Sequence, residues 1–350
     1  MKTEILNTAA LDESSLNENL LRAAKVIREG NLVVFPTETV YGLGADATNP
    51  SAASKIYEAK GRPSDNPLII HISKPEDAEK YTYTSKLYYD LAKAFMPGPL
   101  TVVLPVKDSI PEQTRASLPT VAVRCPSHPI ARKLIELSEV PIAAPSANLS
   151  GSPSATNVSH VIDDMTGRVD MIIDGGDSDF GLESTIVKIE NDEEVTLLRP
   201  GKITVEDLLS VCPVVNIANA VKESLKEGEK VLSPGMKYRH YAPKAPLYLF
   251  DADINELVRY INAKKAKNIA VVCYDEDFDT IRRSIPNAYI YRFGEKNDKI
   301  KQAHLLFGIL RDADKKSFDA IYAPLPEEDG VGLALYNRMI RAAAYHIIRM

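Results

Sequence analysis

The sequence predicts an α/β protein of two domains, the larger with a mixed sheet and the smaller with a parallel one. Three observations carry this. Short buried-strand runs alternate with amphipathic helical runs from Leu16 onward. The runs Ser184–Glu190 and Val195–Leu198 bracket the polar turn NDEE, a hairpin signal, and a hairpin among βα units makes the sheet mixed. From Leu247 strands and helices alternate regularly, the pattern of a small parallel sheet with right-handed crossovers.

The elements follow in order. Leu16 to Glu29 reads as a helix, with Leu16, Leu20, Leu21, Ala24 and Ile27 on one face and Gly30 as a left-handed cap. Leu32–Phe35 is a short buried strand closed by Pro36, and TETVYGLGAD follows as a polar loop. Asn49-Pro50 starts a helix, Asn as N-cap and Pro in the first turn, which runs to Lys60 with Gly61 past its end. Pro67–Ile72 is the next strand. A helix at Ser85–Met96 precedes PGPLTVVLPV, read as turn then strand. Val121–Arg124 is a strand, His128–Leu137 a helix and Val140–Ala144 a strand. Met171–Asp174 is a strand closed by Gly175-Gly176.

Residues 213–246 carry little strand signal. They include SPGMKYRHYAPKAP, whose Tyr, Arg and His content argues against simple disorder. Later strands are expected at Leu247–Phe250, Ile269–Tyr274, Ala288–Phe293 and Asp319–Ala323, with a last helix from Leu333. The plan is therefore a first domain over 1–212, a linker over 213–246 and a second domain over 247–350.

At 350 residues the chain is long enough for two cores. Its net charge of −6 gives no global attraction to nucleic acid or to an anionic membrane, so any anion site must be a local cluster. Cys125, Cys212 and Cys273 are far apart and form no CxxC pair, which argues against a zinc ribbon and a disulfide framework and fits a reducing cytoplasm. The segment MKTEILNTAALDESS has no apolar core of signal-peptide length, and no apolar run approaches membrane-spanning length.

Two polar turns carry the chemistry. KGRPSDNPLIIH, from Lys60 to His71, sets a lysine, an arginine, a serine and an asparagine beside a buried strand. Lys60 and Arg62 can hold a polyphosphate, or can be solvated cations at a helix C-terminus. PSANLSG, with Ser146 and Asn148, follows another apolar strand and raises the first reading, because α/β sheets bind ligands at strand ends. Thr37, Glu38 and Thr39 are either a self-satisfied turn or contacts for a small polar substrate. Arg124 and Arg199 each end a strand, and each is an internal salt-bridge partner or a fork for an anion. His71, inside an apolar strand, is more often core than catalyst. GLG at Gly42–Gly44 lacks the rest of a dinucleotide fingerprint and there is no Walker lysine motif, which argues against an ordinary NAD or P-loop site. No histidine pair has metal-ligand spacing. Ser184-Thr185 lacks a GxSxG elbow and is no nucleophile.

KGRPSDNPL, PSANLSG and SPGMKYRHYAP, with PTETVYGLG, MPGPLT and GLESTIV, resemble the threonylcarbamoyl-AMP synthases in their long two-domain form. The resemblance is strong from about Leu20 to Pro246 and beyond that is mainly architectural. It implies a YrdC-like twisted mixed sheet with a large concave cavity, followed by a smaller Rossmann-like parallel α/β domain. It implies condensation of L-threonine, bicarbonate and ATP to threonylcarbamoyl-AMP with release of pyrophosphate. Mg²⁺ arrives with ATP, and no tightly bound cofactor is expected. A separate transferase complex then modifies ANN-decoding tRNAs. By this resemblance Lys60, Arg62, Ser146 and Asn148 are catalytic. Arg62, Asn66, Thr120, Ser146, Ser154, Arg199 and Tyr238 contact ATP. Thr39, His71, Arg124, Ala144 and Ser184 contact L-threonine. The domain over 1–212 is then the catalytic one and the linker over 213–246 a lid, from which Tyr238, Arg239 and His240 are expected to face the ligand.

Two other readings compete. One is an RNA-binding module, against which the acidic balance counts; tight direct binding of nucleic acid is not expected. The other is carbamoyl transfer as in hydrogenase-maturation carbamoyltransferases, whose zinc-finger CxxC pairs this chain lacks.

Overall fold

The computed structural model describes residues 2–8, 11–223, 240–264 and 267–349. They divide into two compact units. One falls within residues 1–150 and 154–237, the other within 151–153 and 238–350.

The first unit is built on eleven strands: β1 (Glu4–Asn7), β2 (Val33–Phe35), β3 (Gly42–Asp46), β4 (Ile69–His71), β5 (Leu100–Pro105), β6 (Thr120–Arg124), β7 (Ile142–Ala143), β8 (Met171–Asp174), β9 (Thr185–Asn191), β10 (Glu194–Arg199) and β11 (Val214–Ile217). Their order across the sheet is β1-β8-β2-β3-β7-β4-β6-β5-β9-β10-β11. Pairing is mixed, as the hairpin required: β9 and β10 are antiparallel, while β4 and β6 are parallel. Helices α1 (Glu13–Arg28) and α5 (Pro129–Ser138) bury their apolar stripes in one core with Val33, Phe35, Ile142, Met171 and Ile173. Helix α2 (Pro50–Lys60) is capped as its sequence demands. The Asn49 side chain accepts from Ser51 N and Ala52 N, Pro50 stands in the first turn, and Gly61 ends it at φ +62°.

The remaining helices of this unit are α3 (Lys86–Phe95), α4 (Glu112–Arg115), α6 (Val158–Met165) and α7 (Val205–Leu209). Ser85 caps α3 by accepting from Tyr88 N. Helices α4 and α6 were not expected from the sequence, and three strands of this unit also differ from its reading. GLGAD, expected as loop, is strand β3. Its glycines hide the strand signal, and they are needed because a Cβ on Gly44 would lie 2.8 Å from both Phe35 and Ile142. Glu4–Asn7 is a further strand, parallel to β8, and is too short and polar to stand out. Val214–Ile217, in the stretch with little strand signal, is β11 and pairs with β10.

The second unit carries a five-stranded, wholly parallel sheet of β12 (Leu247–Asp251), β13 (Ile269–Cys273), β14 (Tyr289–Arg292), β15 (Ala320–Pro324) and β16 (Ile347–Arg349), in the order β14-β13-β15-β12-β16. Helices α8 (Ile254–Lys264), α9 (Phe278–Ser284), α10 (Lys299–Lys316) and α11 (Gly332–Ala342) alternate with the strands. The last helix stops at Ala342 rather than running on. Ala344 and Tyr345 turn at positive φ, and the chain returns as edge strand β16.

Gly201 follows β10 where backbones nearly touch. A Cβ there would lie 2.5 Å from Thr185 N and 2.9 Å from Glu183 O. Gly201→Ala should lower stability by about 1–3 kcal/mol, read as an earlier urea midpoint. An unchanged midpoint would show that this approach is not tight.

Candidate functional site

Strand β4 lies between β7 and β6, and its register assembles the polar residues. Because β7 runs antiparallel to β4, PSANLSG leaves β7 at the edge where KGRPSDN enters β4. The first turn follows helix α2 and precedes its strand, the second follows its strand, and the antiparallel run brings the two together. Lys60 is buried at the end of α2, and its Nζ donates to Ser146 O at 2.5 Å and to Asn148 O at 2.6 Å. Ser150 N donates back to Lys60 O at 2.9 Å. Ser146 Oγ donates to Asn148 Oδ1 at 2.5 Å, and Ala147 N donates to Tyr41 O. The ammonium thus pins the second turn by charge-assisted bonds. Arg62 folds over its own loop, with Nη2 donating to Asn66 O at 3.2 Å and Pro67 O at 3.1 Å. Asn66 is 1% exposed, and its Oδ1 accepts no hydrogen bond among the described residues. Ile69 pairs with Ala122, so Thr120 starts β6 at this same edge.

At the other end of β4 a second cluster forms. His71 pairs with Ile142 and Arg124, and Arg124 with Thr101 of β5. Directly paired residues share a sheet face, so His71, Arg124 and Thr101 form a row. Thr101 Oγ1 and Ser184 Oγ lie 2.8 Å apart. Arg199 grips Ser184, with Nε donating to its carbonyl at 3.0 Å and Nη2 to its hydroxyl at 3.1 Å. The loop after β2 brings Glu38 Oε1 to 2.9 Å from Arg124 Nη2. Thr39, next to it, shares a 2.9 Å hydroxyl contact with Thr37 and accepts from Gly181 N. Ala144, just past β7, donates its N–H to Ile69 O and so stands at the first edge of β4, near Lys60, not at the His71 end. Ser154 Oγ donates to Glu183 Oε1 at 2.5 Å. Thr120 and Arg124 are the two ends of β6, four residues or roughly 13 Å apart. Tyr238 and Arg239 lie outside the described residues, as does the rest of 224–239 within the expected linker or lid.

Charges in this row are strongly perturbed. Burial pushes the Glu38 carboxyl up, but the Arg124 guanidinium outweighs it and holds the group below the usual carboxylate range. Burial, then the Arg124 charge, pushes His71 down to about 3. The imidazole is therefore neutral. Its Nδ1, 3.3 Å from Ile142 O, is the donor, which makes Nε2 an acceptor. Burial pushes the Cys125 thiol up to about 12, so it is no thiolate nucleophile at neutral pH.

Among the described residues no group of three or more His, Cys, Asp or Glu is placed to hold a metal ion, and no helix is long and apolar enough to cross a membrane. Sequence reasoning did not select Thr101 or Glu183, and it left Glu38, beside Thr37 and Thr39, as a turn former or a substrate contact. The first two sit in MPGPLT and GLESTIV, and their signal is only a polar residue at a strand end. Glu38 had a stronger one, a carboxylate between two threonines just after a buried strand.

Fold and site together define an α/β protein with a mixed-sheet unit carrying buried cations at both ends of one strand. A family described as "Telomere recombination" matches residues 25–201, and the threonylcarbamoyl-AMP synthase C-terminal domain family matches residues 203–344. The threonylcarbamoyl-AMP synthase of Pyrococcus abyssi is 43% identical over 348 residues, covering 94% of this chain and 95% of its own. That of Bacillus subtilis is 41% identical over 354 residues, covering 100% of each. The crystal structure of P. abyssi Sua5 complexed with L-threonine has a TM-score of 0.88 at 40% identity and covers 100% of both chains. The chain belongs to the threonylcarbamoyl-AMP synthase family.

His71 gives a test in pH. Its folded value is lowered to about 3, below the ordinary value of about 6.5. Between these values the unfolded chain takes up a proton that the folded chain refuses. Stability from this group is complete above about 6.5 and falls with pH by up to about 1.4 kcal/mol per unit. His71→Gln should flatten urea stability between pH 6.5 and 4 by about one proton. An equal slope in both proteins would contradict a neutral, buried His71.

Proposed function

We propose that this chain condenses L-threonine, bicarbonate and ATP to threonylcarbamoyl-AMP and pyrophosphate. The observation that carries the proposal is the pair of buried clusters at opposite ends of β4. Lys60, with Arg62, Ser146 and Asn148, stands at one end; His71 and Arg124 stand at the other.

The threonine amine and bicarbonate form a carbamate with loss of water. A carbamate oxygen then attacks the α-phosphorus and pyrophosphate leaves. No covalent protein intermediate is needed; positioning and charge neutralisation suffice. Arg124 clamps the threonine carboxylate, and neutral His71, Thr39, Ala144 and Ser184 line its side chain and backbone. Lys60 and Arg62 face the phosphates of ATP, with Mg²⁺ arriving on the nucleotide as part of the substrate. Asn66, Thr120, Ser146, Ser154 and Arg199 hold the rest of the nucleotide. Lys60 has a double task, because the carbonyls it binds shape the turn that presents Ser146 and Asn148. Burial makes each charge more effective than it would be in water. The product is a labile mixed anhydride, which a cytoplasmic transferase complex must take over for tRNA modification.

Protein, MgATP, L-threonine and radiolabelled bicarbonate should give a labelled adenylate and pyrophosphate in equal amounts; label that never enters an adenylate would sink the proposal. Lys60→Ala should cut turnover by about 100-fold or more, since it removes a charge and loosens the turn. Arg124→Ala should raise the threonine KM by roughly 30-fold or more and leave the ATP KM nearly unchanged. A Lys60→Ala enzyme within a few-fold of normal, or an Arg124→Ala enzyme with its threonine KM intact, would remove that residue from its role.

A further inference from the structure

Glu38 has no part in the chemistry above, yet its setting is unusual. It is 7% exposed and Arg124 is 4% exposed. Glu38 Oε1 lies 2.9 Å from Arg124 Nη2, close enough for strong attraction. The two groups are nevertheless misaligned. Among the described residues no group meets Oε1 or Oε2 of Glu38, or Nε or Nη2 of Arg124, at full hydrogen-bond geometry; Arg124 and the backbone N–H groups of Glu38 and Ser127 reach the carboxylate only loosely. A buried ion pair withstands desolvation only when hydrogen bonds meet its remaining lone pairs and protons. Here two acceptors and two donors stand side by side inside the protein, imperfectly matched.

Unmatched donors on a cation call for an anion, and unmatched acceptors on an anion call for a cation. A ligand that answers both must carry opposite charges a few bonds apart. A zwitterionic α-amino acid does so, with carboxylate and ammonium on one carbon. We propose that Glu38 receives the α-ammonium of L-threonine while Arg124 receives its carboxylate. This rests on the synthase reading. One misaligned pair is exchanged for two aligned ones, and no charge is left buried alone.

The arrangement also bears on the reaction. Arg124 keeps Glu38 ionised and weakly basic, so Glu38 holds the ammonium rather than deprotonating it for good. Ammonium and bicarbonate give carbamate, water and one proton, which leaves to solvent. The nitrogen loses its positive charge in that step and its new substituent is an anion. Glu38 then repels the group it had held and favours its departure toward the α-phosphorus.

Calorimetry without ATP tests this with two ligands, L-threonine and 2,3-dihydroxybutanoate, which has a hydroxyl in place of the ammonium. The wild-type chain should prefer threonine by roughly tenfold or more. Glu38→Gln should weaken threonine by about 30-fold or more and leave dihydroxybutanoate unchanged or tighter. Glu38→Asp, which keeps the charge beside Arg124, should fall between. Unaltered threonine affinity in Glu38→Gln, or equal losses for both ligands, would overturn the assignment. Should Glu38→Gln fail to fold, the wild-type comparison decides, and equal affinities would overturn it. A wild-type chain that binds neither ligand would sink the synthase reading as well; one that binds threonine without regard to its ammonium would sink only the role of Glu38.

Discussion

The site depends on one constraint, the register of β4 between an antiparallel and a parallel neighbour. The antiparallel run of β7 carries PSANLSG back to the edge where KGRPSDN enters the sheet. The parallel run of β6 sets Arg124 level with His71. Strand side chains alternate between faces, so a slip of one residue would send His71 and Arg124 to opposite faces. Apolar neighbours hold the register: Ile69, Ile70, Ala122, Val123 and Ala143 are all buried.

Buried charge is the second theme. The chain as a whole is acidic, yet Lys60, Arg124 and Arg199 are each less than a tenth exposed in the first unit. Each has found oxygen atoms to face. Lys60 has two carbonyls, Arg199 has Ser184, and Arg124 has Glu38. Their fields act through a medium that screens weakly, which is why a local cluster can bind anions despite the unfavourable net charge. Burial, with the Arg124 charge behind it, keeps His71 neutral, and Arg124 keeps Glu38 ionised against its own burial.

Much of this was legible in the sequence. Helix α2 and its ends could be read from Asn49-Pro50 and Gly61, because caps are local chemistry. The hairpin and the second unit's alternating strands could be read from periodicity. Strand β3 could not, since Gly42 and Gly44 are there for the close approach of Phe35, a tertiary demand with no local signature. Strand β16 and the early end of α11 were hidden for a related reason. Tyr345 turns at φ +63°, a conformation that its residue type does not announce. In the site, residue types and family motifs picked out Lys60, Arg62, Ser146, Asn148 and Arg124. The partnership of Arg124 with Glu38 needed the fold, because 86 positions separate them and only strand order brings them together.

A crystal structure of this chain with L-threonine and a non-hydrolysable ATP analogue is the most direct measurement. The expected result is an amino acid on the His71–Arg124 row, carboxylate to Arg124, with the phosphates at the opposite end of β4 beside Lys60 and Arg62. Threonine bound away from Arg124, or phosphates remote from Lys60 and Ser146, would contradict the claim that the strand register builds the site.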